Sequence, residues 1–268
     1  MIKAAVLGSP ISHSLSPALH KRAYEVLGVP GSYGAIELIP ELAADFLRSA
    51  LNEEWTGFSL TMPLKEVIFA MRDEITLDID PVALRMKSAN TLVVQGNGFQ
   101  VTSTDRTAMI RLFQGVEKNR CAIIGGGGTA RAALAALDGA ASSIDFLLRS
   151  PARIATLSTI ARSSEVNFYG MDHSLRGYDL VIATVPSGAS DEIANSLDFT
   201  IPTFCEVLYH PFPSPLLAKA RLLGAHSIDG MDLLVEQAMD QVVLFTGLEF
   251  DRVVMRAALQ ATGRSHLR

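Results

Sequence analysis

The run Arg120-Cys121-Ala122-Ile123-Ile124 passes without a break into Gly125-Gly126-Gly127-Gly128-Thr129-Ala130, and an Ala/Leu-rich stretch follows. The short apolar run reads as a buried strand, the glycines permit a tight turn, and the Ala/Leu pattern predicts a helix. The segment fits G-x-G-x-x-[G/A], whose glycines let backbone N–H groups approach a pyrophosphate at a helix N-terminus. A glycine run by itself also occurs in ordinary turns. Here the strand–turn–helix context points to a dinucleotide-binding unit of Rossmann-like type.

The next predicted strand, residues 143–148, discriminates between cofactors. A site for NAD places an acidic side chain about twenty residues past the glycines, on the ribose 2′-OH. This chain has Arg149, Ser150 and Arg153 there and no acid. A guanidinium pairs bidentately with phosphate, so these residues point to the 2′-phosphate of NADP. The competing reading is two arginines on a solvated helix face.

Strand-like and helix-like patterns alternate along all 268 residues, which defines α/β architecture with mostly parallel sheets. Predicted strands are 2–7, 32–38, 57–60, 90–95, 98–102, 120–124, 143–148, 178–185, 202–207 and 226–228. Predicted helices are 17–27, 41–51, a segment carrying Lys65, 151–162, 216–223, 231–246 and 251–261. Gly96-Asn97-Gly98 marks an antiparallel hairpin. A domain boundary is expected at residues 102–105. The formal charge of −5 argues against nucleic acid or an acidic membrane as partner. Cys121 and Cys205 lie in apolar runs, as free thiols of a reducing cytoplasm do. No signal peptide, membrane span or metal-ligand spacing is evident, so no metal is expected.

After the first predicted strand comes Gly8-Ser9-Pro10-Ile11-Ser12-His13-Ser14-Leu15-Ser16-Pro17. Hydroxyls two residues apart beyond a strand's carboxyl end can grip a carboxylate or a polyol. The plain alternative is a hydroxyl turn with Ser16 as helix cap. Lys65 follows a Thr61-Met62-Pro63 turn, and Asn90 and Asp105 lie near strand ends.

Taken together these segments resemble the shikimate dehydrogenase family, nearly from end to end. Ser14 and Ser16 match its Ser-x-Ser loop, Thr61, Pro63 and Lys65 its Thr-x-Pro-x-Lys element, and Asn90-Thr91 its Asn-Thr pair. Thr104-Asp105, the Glu206–Pro211 segment and Asp229-Gly230 through Gln237-Ala238 follow in order. The resemblance implies a substrate domain of residues 1–104 plus about 236–268 and an NADP-binding domain of 105–235, with the cleft between them. It implies NADPH-dependent reduction of 3-dehydroshikimate to shikimate, in aromatic amino-acid biosynthesis, by a cytoplasmic monomer or homodimer. Ser14 and Ser16 would hold the substrate carboxylate. Thr61, Lys65, Asn90, Asp105 and Gln237 would hold its hydroxyls, Tyr209 would line the pocket, and Lys65 with Asp105 would handle the proton. Gly125, Gly126, Gly127, Gly128, Thr129, Ala130, Arg149, Ser150, Arg153, Thr184, Val207 and Gly230 would serve the cofactor. Ser59, Ser103, Arg106, Leu148 and Glu206 depart from the family pattern. A relative acting on quinate or an amino-analogue, and a non-catalytic ligand sensor on the same fold, stay open as alternatives.

Overall fold

The computed structural model describes residues 1–267. The first part of the chain runs β1 (Ile2–Gly8), α1 (Ser16–Leu27), β2 (Gly31–Glu37), α2 (Pro40–Ala50), β3 (Gly57–Leu60), α3 (Leu64–Val67), β4 (Leu77–Ile79), α4 (Pro81–Met86), β5 (Thr91–Gln95) and β6 (Gly98–Thr102). Then come α5 (Thr104–Leu112), β7 (Arg120–Ile124), α6 (Gly128–Leu137), β8 (Ser143–Leu147), α7 (Ile154–Leu157), β9 (Glu165–Tyr169), β10 (Leu180–Ala183) and α8 (Asp191–Ser196). The chain finishes with β11 (Thr203–Glu206), α9 (Pro215–Leu222), β12 (His226–Ile228), α10 (Gly230–Thr246) and α11 (Arg252–Ser265). Two compact units result, Met1–Thr104 with Leu234–His266, and Asp105–Leu233.

The first unit holds a six-stranded mixed sheet in the order β2-β1-β3-β5-β6-β4. β1 runs parallel to β2 and β3, whereas β5 is antiparallel to both β3 and β6. The reversal has a local cause. β5 and β6 are joined by Gly96-Asn97, and Gly96 takes a positive φ of 59°, the left-handed backbone that a two-residue hairpin needs. In consequence the start of β5 and the ends of β1, β3 and β6 share one edge of the sheet. Phe58, Leu92, Phe99 and Val101 fill the interior, with Trp55 and Phe46 against Phe58.

The second unit is a six-stranded all-parallel sheet, β12-β11-β10-β7-β8-β9. Numbered within the unit this is the doubly wound order 3-2-1-4-5-6, read from β9, and its switch point lies between β7 and β10. Strands β7, β8, β10 and β11 are almost wholly buried, which is why they read as continuous apolar runs rather than alternating ones. Both cysteines lie in this sheet, free and buried. Burial pushes the Cys121 thiol up to about 12 and raises that of Cys205 too.

Some elements differ from expectation. The helix expected over 151–162 is a 3-10 turn at Pro151–Arg153 followed by α7, which stops at Leu157. Ser158 and Thr159 hydroxyls donate to the carbonyls of Ile154 and Thr156, and Asp138 accepts from the N–H groups of Arg162, Ser163 and Ser164. Side-chain and loop hydrogen bonds thus take over the backbone that would have extended the helix. The sequence pattern does not predict β4, α4, α5, β9 or α8. β4 spans only Leu77–Ile79, and β9 is an edge strand with a half-exposed face. Among the described residues no helix is long and apolar enough to cross a membrane, and no group of metal-ligating side chains occurs.

α10 from Leu234 onward, with α11, completes the first unit. Buried Glu236 pairs with Arg252 at 3.0 Å and with Arg256, while Arg252 also meets Asp240 at 2.9 Å. α11 packs on α1. Glu236→Ala leaves two arginines without their buried acceptor, and the rims of both arginines stay solvated. Stability should fall by about 2–3 kcal/mol, with Glu236→Gln losing roughly half as much. Urea unfolding of both variants checks this, and equal stability of wild type and Glu236→Ala would remove the clamp from the account.

Candidate active site

In the first unit, the shared edge of the sheet gathers the polar residues. Gly8 ends β1 where a Cβ would stand 2.3 Å from Thr61 Cγ2 and 2.7 Å from the Met62 carbonyl, so only glycine lets the two loops meet. Ser9 N donates to that same carbonyl at 2.9 Å. Ser16 is the first residue of α1 and is buried, and Leu15 occupies the cap position with no side-chain capping bond. The capping role that the plain alternative gives Ser16 is therefore not observed. Ser14 Oγ instead accepts from Ser16 N at 3.4 Å, which ties the two serines into one turn.

Thr61 and Lys65 stand on the turn after β3. Lys65 N donates to the Thr61 carbonyl at 3.2 Å, and Ala89 N donates to the Lys65 carbonyl at 3.0 Å. The lysine backbone is thereby fastened to the residue preceding Asn90. Asn90 is buried, and its Oδ1 accepts from Thr104 N at 2.7 Å and from Thr91 Oγ1 at 3.1 Å. Its Nδ2 donates to Thr104 Oγ1 at 2.9 Å and to Gln237 Oε1 at 3.2 Å. Thr61, Lys65, Asn90 and Gln237 thus form one connected corner. Asp105 follows Thr104 in sequence as the acidic residue in the first turn of α5, and it is buried.

Sequence reading missed the residue behind this corner. Gln241, one helical turn after Gln237 on α10, places Nε2 at 3.3 Å from the Asn90 carbonyl and 3.1 Å from Thr91 Oγ1. A carbonyl can only accept, so the amide orientation is fixed. Gln241 Oε1 then accepts from Ser59 Oγ at 2.7 Å and faces His20 Nε2 at 3.1 Å. His20 must donate from Nε2, which leaves Nδ1 as a bare lone pair, buried without a hydrogen-bond partner. The ring stacks on Tyr33, with centroids 3.9 Å apart. Burial, only partly opposed by the Gln241 bond, depresses the His20 pKa to about 3.

In the second unit the glycine turn sits at the switch point. A Cβ on Gly125 would stand 2.6 Å from Thr184 Oγ1, and Thr184 Oγ1 donates to the Ile124 carbonyl at 2.9 Å. A Cβ on Gly126 would come within 3.1 Å of both Arg153 Cβ and Leu148 Cδ2. The cradle is thus one that side chains would fill, and the basic segment lies directly against it. Arg149, Ser150 and Arg153 are exposed beyond β8, and Ser150 Oγ accepts from Ala152 N at 3.3 Å, a turn-capping role. Val207 N donates to the Ala183 carbonyl at 3.0 Å, and a Cβ on Gly230 would stand 2.5 Å from the Leu208 carbonyl oxygen. The ends of β10 and β11 and the start of α10 therefore close around the same edge as the glycine turn. Half-buried Tyr209 follows, its hydroxyl pKa raised by burial. These groups fit a dinucleotide.

Four of the five departures from the family pattern have local partners. Ser59 joins the Gln241 network, Leu148 packs on Gly126, and Arg106 Nε donates to the Ala135 carbonyl at 3.2 Å. Glu206 is buried with Oε1 accepting from Ser214 Oγ at 2.8 Å, and burial raises its carboxyl pKa.

A doubly wound sheet with a glycine turn at its switch point, joined to an α/β unit bearing a lysine–hydroxyl–amide corner, defines a nucleotide-dependent α/β enzyme of two units. A profile of the shikimate dehydrogenase substrate binding domain matches residues 6–92. The shikimate dehydrogenase (NADP(+)) of Paramagnetospirillum magneticum is 33% identical over 250 residues, 88% of this chain and 89% of that protein. The chain belongs to the shikimate dehydrogenase family. The crystal structure of Mycobacterium tuberculosis shikimate dehydrogenase matches with a TM-score of 0.86 at 32% identity, over 97% of this chain and 99% of that one. A shikimate 5-dehydrogenase from Thermus thermophilus, solved with NADP(H) and shikimate, matches with a TM-score of 0.84 at 26% identity, over 98% and 100% of the two chains.

The His20 shift has a signed consequence. Its folded pKa of about 3 lies below the ordinary 6.5, so the unfolded chain binds the extra proton between these values. The contribution is intact above pH 6.5 and is lost as pH falls toward 3, at about 1.4 kcal/mol per pH unit. His20→Phe keeps the stack on Tyr33 and leaves Gln241 Oε1 its Ser59 donor. Urea midpoints measured from neutral to mildly acid pH should fall less steeply for His20→Phe than for wild type. Parallel curves would contradict the buried neutral imidazole.

Proposed function

We propose that this protein is an NADP-dependent shikimate dehydrogenase that interconverts 3-dehydroshikimate and shikimate. The observation that carries the proposal is the connected corner of Thr61, Lys65, Asn90 and Gln237 at the sheet edge of the first unit. Such a set of hydroxyl, ammonium and amides suits a ring with several hydroxyls. Ser14 and Ser16, tied into one turn, would bind its carboxylate. Asp105 would complete the set, and Tyr209 would line the pocket.

The glycine turn Gly125–Gly128 with Thr129, Ala130, Thr184, Val207 and Gly230 would hold the dinucleotide, with Arg149 and Arg153 toward the 2′-phosphate. NADPH, when bound, supplies the hydride. Reduction of the ketone builds negative charge on its oxygen, which the Lys65 ammonium would stabilise and protonate. Asp105 would hold that ammonium in place as a carboxylate, and the lysine would regain its proton from solvent. In the reverse direction the same pair would accept the hydroxyl proton as hydride leaves the carbon. A cytoplasmic setting fits the two buried free thiols.

Wild-type protein should oxidise shikimate with NADP⁺, followed by NADPH absorbance, and prefer NADP⁺ over NAD⁺ by about 10- to 100-fold in kcat/KM. Arg149→Ala should erode that preference. Equal turnover with NAD⁺ would contradict the cofactor assignment, and no turnover of shikimate would contradict the function. Lys65→Met should lower kcat by about 10²–10⁴-fold while the KM for NADP⁺ stays near wild type. A variant of near-normal kcat would remove Lys65 from the chemistry and favour a ligand-sensing protein. Ser16→Ala should raise the shikimate KM at nearly constant kcat, a loss of uniform binding.

A further inference from the structure

We propose that Gln241 is a positioning residue for substrate binding, acting through Thr91 to fix the amide of Asn90. This rests on the assignment of Asn90 to the shikimate site. Hydrogen-bond polarity fixes the sense of each contact in this network. Tyr33 Oη lies 2.5 Å from Ser59 Oγ, and Ser59 Oγ lies 2.7 Å from Gln241 Oε1. Gln241 Oε1 can only accept, so the single Ser59 hydroxyl proton points to it and Tyr33 donates to Ser59. On the other side, Gln241 Nε2 donates to Thr91 Oγ1 at 3.1 Å, and the Thr91 proton goes to Asn90 Oδ1, also at 3.1 Å, rather than to the more distant Thr104 Oγ1 at 3.4 Å. Asn90 Oδ1 is therefore an acceptor from Thr91 and from Thr104 N, and a flipped amide would set donor against donor at both contacts. Asn90 Nδ2 then donates its two hydrogens to Thr104 Oγ1 at 2.9 Å and Gln237 Oε1 at 3.2 Å, the longer bond being the one a ligand oxygen would replace. Gln237 Nε2 donates onward to the Leu234 carbonyl at 2.8 Å.

The relay runs in one direction from Tyr33 to Gln237, and Gln241 is the link that sets its sense. Ser59, His20, Asn90, Thr91 and Gln241 are all buried, so water cannot replace a missing donor. The amide of Asn90 is thereby pre-oriented as a donor, and the ligand does not have to order it on binding. Removing Gln241 frees the Thr91 hydroxyl to rotate toward Thr104 Oγ1, 3.4 Å away, and loosens Asn90, which keeps its bond from Thr104 N.

The test is a kinetic double-mutant cycle on the full chain. Gln241→Leu and, as a milder break that keeps the Gln241–Asn90 carbonyl bond, Thr91→Val should each raise the shikimate KM about tenfold. Both should keep kcat within about twofold and leave the NADP⁺ KM unchanged. In an Asn90→Ala background, Gln241→Leu should add less than about twofold, since its effect passes through Asn90. A full effect in that background overturns the inference. So does a fall in kcat at unchanged KM in both single variants, the mark of a misfolded fraction. Raised KM in Asn90→Ala alone, with Gln241→Leu and Thr91→Val like wild type, overturns the inference and leaves the functional reading standing. A wild-type enzyme inactive on shikimate overturns both.

Discussion

The first unit depends on the pairing of one buried residue, Asn90. Its backbone carbonyl accepts from Leu60 N at 2.8 Å and from Gln241 Nε2, its N–H donates to the Thr102 carbonyl at 3.2 Å, and its side chain receives Thr104 N. One residue therefore joins the end of β3, the entry to β5, the exit of β6 and the helix α10. A buried amide without partners would cost roughly 1–3 kcal/mol per lost contact. Satisfying it forces these four segments into one arrangement, and the same arrangement puts Lys65 and Gln237 beside it. Site geometry and fold stability here have a common cause.

The second unit rests on a different constraint, the close approach of backbone at the switch point. Gly125 and Gly126 are positions where a side chain would collide with Thr184, Leu148 or Arg153, and Gly230 is pressed on Leu208. The glycines serve the fold and would serve a pyrophosphate too, because both need bare backbone at the sheet's carboxyl edge. The absence of an acid after β8 and the presence of Arg149 and Arg153 would then bias the choice of cofactor toward NADP.

Much of this was legible in the sequence where local physics decides structure. β3, β6, β7 and β12 match their predicted spans because each is a short apolar or alternating run bounded by turn residues. The Gly96-Asn97 hairpin was readable from its turn chemistry. The overlong helix at 151–162 failed where competing hydrogen bonds, not propensity, set the end of an element. Gln241 was missed although a signal existed. Two amides four residues apart share one face of α10, a helix otherwise largely apolar, and such a pair is seldom idle. His20, Tyr33 and Ser59 carried no comparable mark, since only the packing of α1, β2 and β3 brings them to Gln241.

The central claim is that the Asn90 corner receives shikimate. A crystal structure of the protein grown with shikimate tests it most directly. The account predicts ring hydroxyls within about 3.2 Å of Asn90 Nδ2 and Lys65 Nζ, with the carboxylate at Ser14 and Ser16. Shikimate seated elsewhere, or a corner that stays without it at saturating concentration, would contradict the account.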